Sequence, residues 1–333
     1  VTGATVLGCA GPVLDTDEAA FFREADPWGF ILFARNIETP AQVVRLTADL
    51  RAAVGRDAPI FVDQEGGRVQ RLRGPHWREW APPLDAVRAA GAGAARAMYL
   101  RFRLIAAELR AVGIDGNCAP TADIATEVTH HFLQNRCYGN DVAAVVKVAR
   151  EVARGLLEGG VLPVMKHMPG HGRATLDTHL SLPRVDLSAA ALAETDFAAF
   201  RALSDLPIGM TAHIVFSALD DRPATQSSAV LRMIREEIGF GGLLMTDDLS
   251  MEALSGTLAD RAAMARAAGC DLALYCKGLR PEAEAVVAAA GFMDAAGQAR
   301  ADAALARRHA PAPVDIAALE AELSGLSGGQ GNG

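Results

Sequence analysis

"VLPVMKHMPGHG", residues 161–172, runs a short apolar segment into Lys166 and His167 and then at once into a Pro-Gly-His-Gly turn. An apolar run of this length, bounded by turn residues, reads as a buried strand. The same pattern recurs along the chain: "ATVLG" (4–8), "GFILF" (29–33), "PIFVD" (59–63), "DGNCAP" (115–120), "LPIGMTAHI" (206–214), "GGLLMTDD" (241–248) and "GCDLALYC" (269–276). Ala-rich segments with helical spacing lie between them, at 41–54, 93–112, 142–158, 188–204, 228–238 and 258–268. Eight strand–helix alternations predict a (β/α)8 TIM barrel, a fold of about 250 residues that leaves room for insertions. The rival, a doubly wound open sheet, lacks a G-x-G-x-x-G after any early strand.

The polar residues reinforce this reading. Asp63, Asn117, Lys166, His167, His213, Asp247 and Asp248 all come at the C-terminal ends of apolar strand cores, the catalytic face of such a barrel. Asp63, Lys166, His167, His213 and Asp247 are therefore predicted to converge on one rim. Asp248 has a ready structural use as the N-cap of the following helix. Two further helix starts carry capping-box patterns, Asp15 with Glu18 and Thr39 with Gln42. No linker divides the chain, so residues 1–320 are expected to form one barrel domain and residues 321–333 a Gly/Ser-rich tail.

Composition narrows the function. Half of the 333 residues are apolar and 22% are charged, enough for a sizeable core. A net charge of −8 without any Lys/Arg run excludes a nucleic-acid binder by its electrostatics. Five scattered cysteines with no C-x-x-C pair point to reduced thiols and a cytoplasmic chain. "VLGC" (6–9) has the look of a lipoprotein cleavage box, but no basic residue and no adequate apolar region precede it. No apolar run approaches the ~18 residues of a membrane span.

The loop after the fifth strand carries His167, His171, Asp177 and His179 over about twenty residues, a length usually tied to function. Three readings compete. The side chains could ligate a divalent ion, although no H-x-H or H-E-x-x-H pair is present. Gly170-His171-Gly172-Arg173 could cradle an anion, although such turns do so best when they open a helix. Asp177 could orient His179 for proton transfer near neutrality, although an isolated D-x-H is ordinarily solvated loop. A glycosidase needs a second carboxylate opposite its acid, and the "MTDDLSM" segment offers Asp247 or Asp248.

With these motifs assembled, the sequence resembles glycoside hydrolase family 3, in particular its single-domain β-N-acetylglucosaminidases of peptidoglycan recycling. The resemblance spans roughly residues 8 to 280 and rests on "VDQEGGRVQRL" (62–72), "NCAPTADI" (117–124), "NRCYGND" (135–141), "KHMPGHG" (166–172), "DTH" (177–179), "MTAHI" (210–214), "PAT" (223–225) and "TDDLSM" (246–251), in matching order. It implies Asp247 as nucleophile, His179 as acid/base and Asp177 as its partner. It further implies Asp63, Arg71, Arg136, Lys166 and His167 as the residues that bind N-acetylglucosamine. Cys118 and Met168 stand where Phe is usual, Cys137 and Thr178 where Ser is usual, and Lys277 where Asn is usual.

The implied enzyme is a retaining, exo-acting glycosidase with no metal or organic cofactor. Its implied substrate is N-acetylglucosamine joined to anhydro-N-acetylmuramic acid, with or without peptide. A small carbohydrate is the expected partner, with neither nucleic acid nor membrane, and no feature sets an oligomeric state. Two rival functions are a metal-dependent barrel hydrolase of amides and a catalytically silent sugar-binding protein.

Overall fold

The computed structural model describes residues 1–174 and 182–327. Eight strands form a closed, all-parallel barrel: β1 (Gly3–Gly8), β2 (Pro27–Leu32), β3 (Ile60–Val62), β4 (Gly116–Asn117), β5 (Leu162–Met168), β6 (Ile208–Thr211), β7 (Leu243–Asp248) and β8 (Leu272–Tyr275). Each lies within one of the predicted apolar runs or overlaps it. Helices cover the outer face and side chains fill the inside, so the strands read as continuous apolar segments. The ring closes where β1 pairs with β8 in the register Thr5↔Ala273, Val6↔Leu274 and Leu7↔Tyr275. Arg35 clasps this seam, donating to the carbonyls of Cys9 at 3.0 Å and Cys276 at 2.5 Å.

The predicted helices form at Pro40–Val54, Ala94–Ala111, Val142–Glu158, Ser228–Glu236 and Leu258–Ala268. The expected 188–204 helix is instead two, Ala189–Glu194 and Asp196–Ala202. At the break, the buried Asp196 carboxylate accepts from Arg173 at 2.6 Å and from the Thr195 hydroxyl at 2.9 Å. Both capping boxes form by half. Asp15 accepts from the Glu18 amide at 2.8 Å and Thr39 from the Gln42 amide at 3.3 Å. The reciprocal oxygens go elsewhere, that of Glu18 to the Ala10 amide and that of Gln42 to the Glu38 amide.

Two expectations need correction. Asp248 caps no helix, because the next one starts at Leu258 and Thr257 caps it; Asp248 instead holds a turn, accepting from the Ser250 amide at 3.0 Å and hydroxyl at 2.6 Å. Residues through Ser327 belong to a helix, Ile316–Ser327, rather than to a tail from 321. Its Ala, Leu and Glu residues are strong helix formers, and Glu320 and Glu322 reach back to Arg78 and Arg96. Of "VLGC", Val6–Gly8 are the end of β1, and Cys9 is buried beyond it. Among the described residues no helix is long and apolar enough to cross a membrane.

At the N-terminal ends of the strands two buried acids act as anchors. Asp115, just before β4, accepts from the Ile60 amide at 2.7 Å, from Arg51 at 2.9 Å and from Arg308 at 2.7 Å. Asp271, just before β8, accepts from the Leu244 amide at 2.8 Å, from Arg235 at 2.8 Å and from Arg300 at 2.5 Å. Each ties a strand to its neighbour and to outer-layer arginines.

Candidate active site

The opposite rim gathers the side chains that follow the apolar strand cores. Asp63, one residue past β3, accepts from Lys166 of β5 at 3.0 Å on one oxygen and from Arg71 at 3.0 Å on the other. Glu65 lies beside it, bidentate to Arg136 at 2.8 and 3.0 Å and 2.5 Å from the Lys166 ammonium. Glu65 is seated by its own backbone: Arg101 donates to its carbonyl, and Gly66 follows at φ 112°. A Cβ on Gly66 would stand 1.7 Å from the Arg101 guanidinium, so this close approach requires glycine.

Burial works against charge in this cluster, and the pairing overcomes it. Against burial, Lys166 and Arg71 hold the Asp63 carboxyl well below the usual carboxylate range. Against the same burial, Arg136 and Lys166 hold Glu65 at about 2. Lys166 stays charged because Asp63 and Glu65 outweigh its desolvation. Two anions and three cations thus form a rigid block of charged donors.

Asp247 and Asp248 end β7, and their environments separate them. Burial opposes ionisation of Asp247, but His167, the Asp248 amide at 2.8 Å and Lys166 bring its carboxyl below its ordinary value. Burial pushes Asp248 up. Two neighbouring carboxyls with divergent tuning suit different roles. His213, two residues past β6, places Nε2 3.0 Å from the Asp248 carbonyl. A carbonyl only accepts, so Nε2 carries the proton and Nδ1 accepts from the Thr225 hydroxyl at 2.8 Å. Burial lowers the pKa of His213, in keeping with this neutral form.

His167 is held by Asp123, whose buried carboxylate lies 2.7 Å from Nδ1. The carboxylate only accepts, so Nδ1 carries the proton and Nε2 is the nitrogen left for other contacts.

These groups line one cleft of about 290 Å³ at the C-terminal end of the barrel. Asp63, Arg71, Arg136, Lys166, His167 and Asp247 all face it, and His213 supports its wall through Asp248. His179 and Asp177 lie outside the described residues. Sequence reasoning missed Glu65 and Asp123 as participants, and it weighed His171, which also lines the cleft, only as a metal or anion ligand. Both acids stood inside the motifs given above, but no sequence signal marked their partners, since Glu65 meets Arg136 across 71 residues and Asp123 meets His167 across 44. Of the unusual residues, Cys118 lines the cleft, Met168 and Cys137 are fully buried nearby, and Lys277 is exposed outside its lining. Among the described residues no three His, Cys, Asp or Glu side chains are grouped to hold a metal ion.

Residues 17–307 match the glycosyl hydrolase family 3 N terminal domain. The chain is 38% identical over 288 residues to the beta-hexosaminidase of Alkalilimnicola ehrlichii, covering 84% of this chain and 82% of that protein. It is 38% identical over 283 residues to the beta-hexosaminidase of Methylococcus capsulatus, covering 83% of each. The fold is similar to that of NagZ from Neisseria gonorrhoeae in complex with N-trifluoroacetyl-D-glucosamine, with a TM-score of 0.87, 29% identity and 98% of both chains covered.

Proposed function

The chain belongs to glycosyl hydrolase family 3 and is a glycoside hydrolase of β-N-acetylglucosaminidase type; from that premise we propose that it removes terminal N-acetylglucosamine with retention, through a covalent glycosyl–Asp247 intermediate. The observation that carries the reading is the opposition, across one small cleft, of an ionised carboxylate and a block of charged donors. Asp63, Arg71, Arg136, Lys166 and His167 bind the sugar, whose hydroxyls suit charged donors and acceptors. Asp247 attacks the anomeric carbon from the rim of β7. Asp248 holds the turn that presents it.

His179 gives a proton to the departing oxygen and later takes one from the incoming water, with Asp177 orienting the imidazole. The substrate in this reading is a cell-wall turnover product, N-acetylglucosamine linked to anhydro-N-acetylmuramic acid with or without peptide. Five cysteines, all unpaired and buried, support a cytoplasmic setting. No cofactor takes part.

The test is a leaving-group comparison. General-acid help matters when the leaving oxygen is too basic to depart unprotonated, and it is worth about 10²–10⁴-fold. His179→Ala is expected to spare glycosylation by a dinitrophenyl N-acetylglucosaminide while crippling it with the natural disaccharide. Azide, which needs no deprotonation, is expected to restore turnover of the aryl substrate. Equal slowing of glycosylation with both substrates and no azide effect would remove His179 from proton transfer.

A further inference from the structure

The Pro-Gly-His-Gly turn after β5 has a second histidine that the mechanism above leaves without work. His171 lines the cleft yet is only 8% exposed, and its ring centre lies 5.5 Å from that of His167. Its backbone is fixed: the Asp123 carboxylate that holds His167 through one oxygen accepts the His171 amide with the other, at 2.7 Å. Gly172 seats the turn against the same segment. A Cβ there would stand 1.9 Å from the Ile124 carbonyl oxygen, so no larger residue lets the turn lie that close.

The ring itself is set less completely. Its Nδ1 is buried and has no hydrogen-bond partner among the described residues. Burial, then the neighbouring His167, push its pKa down to about 4, so it is neutral at pH 7. A neutral imidazole has one N–H, and in folded proteins a buried N–H without an acceptor is rarer than an acceptor left short of a donor. The proton therefore belongs on Nε2.

We propose that His171 is a further sugar-contacting residue, held by Asp123 so that its Nε2–H is presented to the cleft as a hydrogen-bond donor to an oxygen of the bound sugar. The proposal rests on the reading of this cleft as an N-acetylglucosamine site. It makes Asp123 a positioning residue for two imidazoles at once, His167 through its side chain and His171 through its backbone.

Two measurements test it. In the wild-type protein, labelled with ¹⁵N-histidine, long-range proton–nitrogen spectra at pH 7 are expected to show His171 as the neutral Nε2–H tautomer, with the signal identified by its loss in His171→Gln. Saturating N-acetylglucosamine is expected to shift that Nε2 resonance. An Nδ1–H tautomer, an imidazolium, or no response to a sugar that perturbs His167 would overturn the proposal.

The kinetic arm uses an aryl N-acetylglucosaminide. His171→Phe keeps a planar ring without the donor and is expected to lower kcat/KM about tenfold, the usual scale for one lost hydrogen bond. His171→Gln places an amide nitrogen near the Nε2 position and is expected to stay within about threefold of wild type. Equal losses in both variants would make the ring a shape element, and no loss in either would make it packing; each result overturns the donor role. A wild-type enzyme inactive on the aryl substrate would instead sink the sugar-site reading itself, a failure visible before any variant is made.

Discussion

The two ends of the barrel are built from the same materials and finish differently. At the N-terminal end Asp115 and Asp271 sit buried among Arg51, Arg308, Arg235 and Arg300, and each also accepts a strand amide. At the C-terminal end Asp63 and Glu65 sit buried among Lys166, Arg71 and Arg136. Charge pairing alone cannot tell these ends apart. Residual hydrogen-bonding capacity can. Among the described residues, no atom of the lower clusters is buried without a partner, whereas Arg71 Nε and His171 Nδ1 are. Asp247 adds a carboxylate that accepts from the next backbone amide. The anchoring acids use up their bonding, whereas Asp247 keeps its second oxygen for the cleft.

That contrast breaks most readily at Asp247. Asp247→Asn is expected to lower kcat/KM on an aryl N-acetylglucosaminide by about 10⁴-fold or more while leaving the melting temperature nearly unchanged, since it removes the proposed nucleophile and no anchor. A large fall in melting temperature would show that this acid is an anchor too. The reciprocal change is Asp115→Ala, which strands Arg51 and Arg308 without their carboxylate. It is expected to cost about 3–5 kcal/mol of stability in a denaturant titration and to leave KM of the folded enzyme unaltered.

A subtler separation uses acid. The Glu65 carboxyl is held at about 2 in the fold, well below the roughly 4.3 of an unfolded glutamate. A depressed folded value contributes stability above the unfolded value, and that contribution is lost as pH falls from about 4 toward about 2. The urea midpoint of the wild type should therefore drop more steeply across that window than that of Glu65→Gln, which has no carboxyl there to titrate. Parallel curves would mean that Glu65 contributes nothing to acid sensitivity. The smallest effect belongs to neither end. Arg150 and Asp205 are 44% and 64% exposed, so Asp205→Ala should change stability by less than about 0.5 kcal/mol. A larger change would mean that surface pairs, too, anchor this barrel.

The strand cores were legible because a parallel barrel buries both faces of each strand, so apolar runs mark them; the mark is weakest at Gly116–Asn117, where the strand is only two residues long. The rim was legible for a related reason: Asp63, Lys166, His167, His213 and Asp247 are the polar residues that follow those runs. The supporting acids were not. Glu65 meets Arg136 across 71 residues of sequence and Asp123 meets His167 across 44, and no local pattern records such a pairing. Asp248 misled because Asp before a helix is usually a cap, whereas here nine residues intervene before Leu258 and the side chain folds back on Ser250. The C-terminal helix misled because glycine and serine drew the eye from "IAALEAEL", a good helix former with acids spaced to reach Arg78 and Arg96.

The seam between β1 and β8 bears on how the chain is made. The first strand to leave a ribosome waits for the last, and until residues Leu272–Tyr275 emerge the nascent sheet has two open edges that can pair with other chains. The cleft draws on β3, β5 and β7 together, so a nascent polypeptide that stops short of β7 lacks part of the site. The Arg35 clasp can form only after Cys276 has been added, late in synthesis. Substitutions at this seam are thus expected to be felt first as lower yield of folded protein from cells, before any change appears in the enzyme that survives.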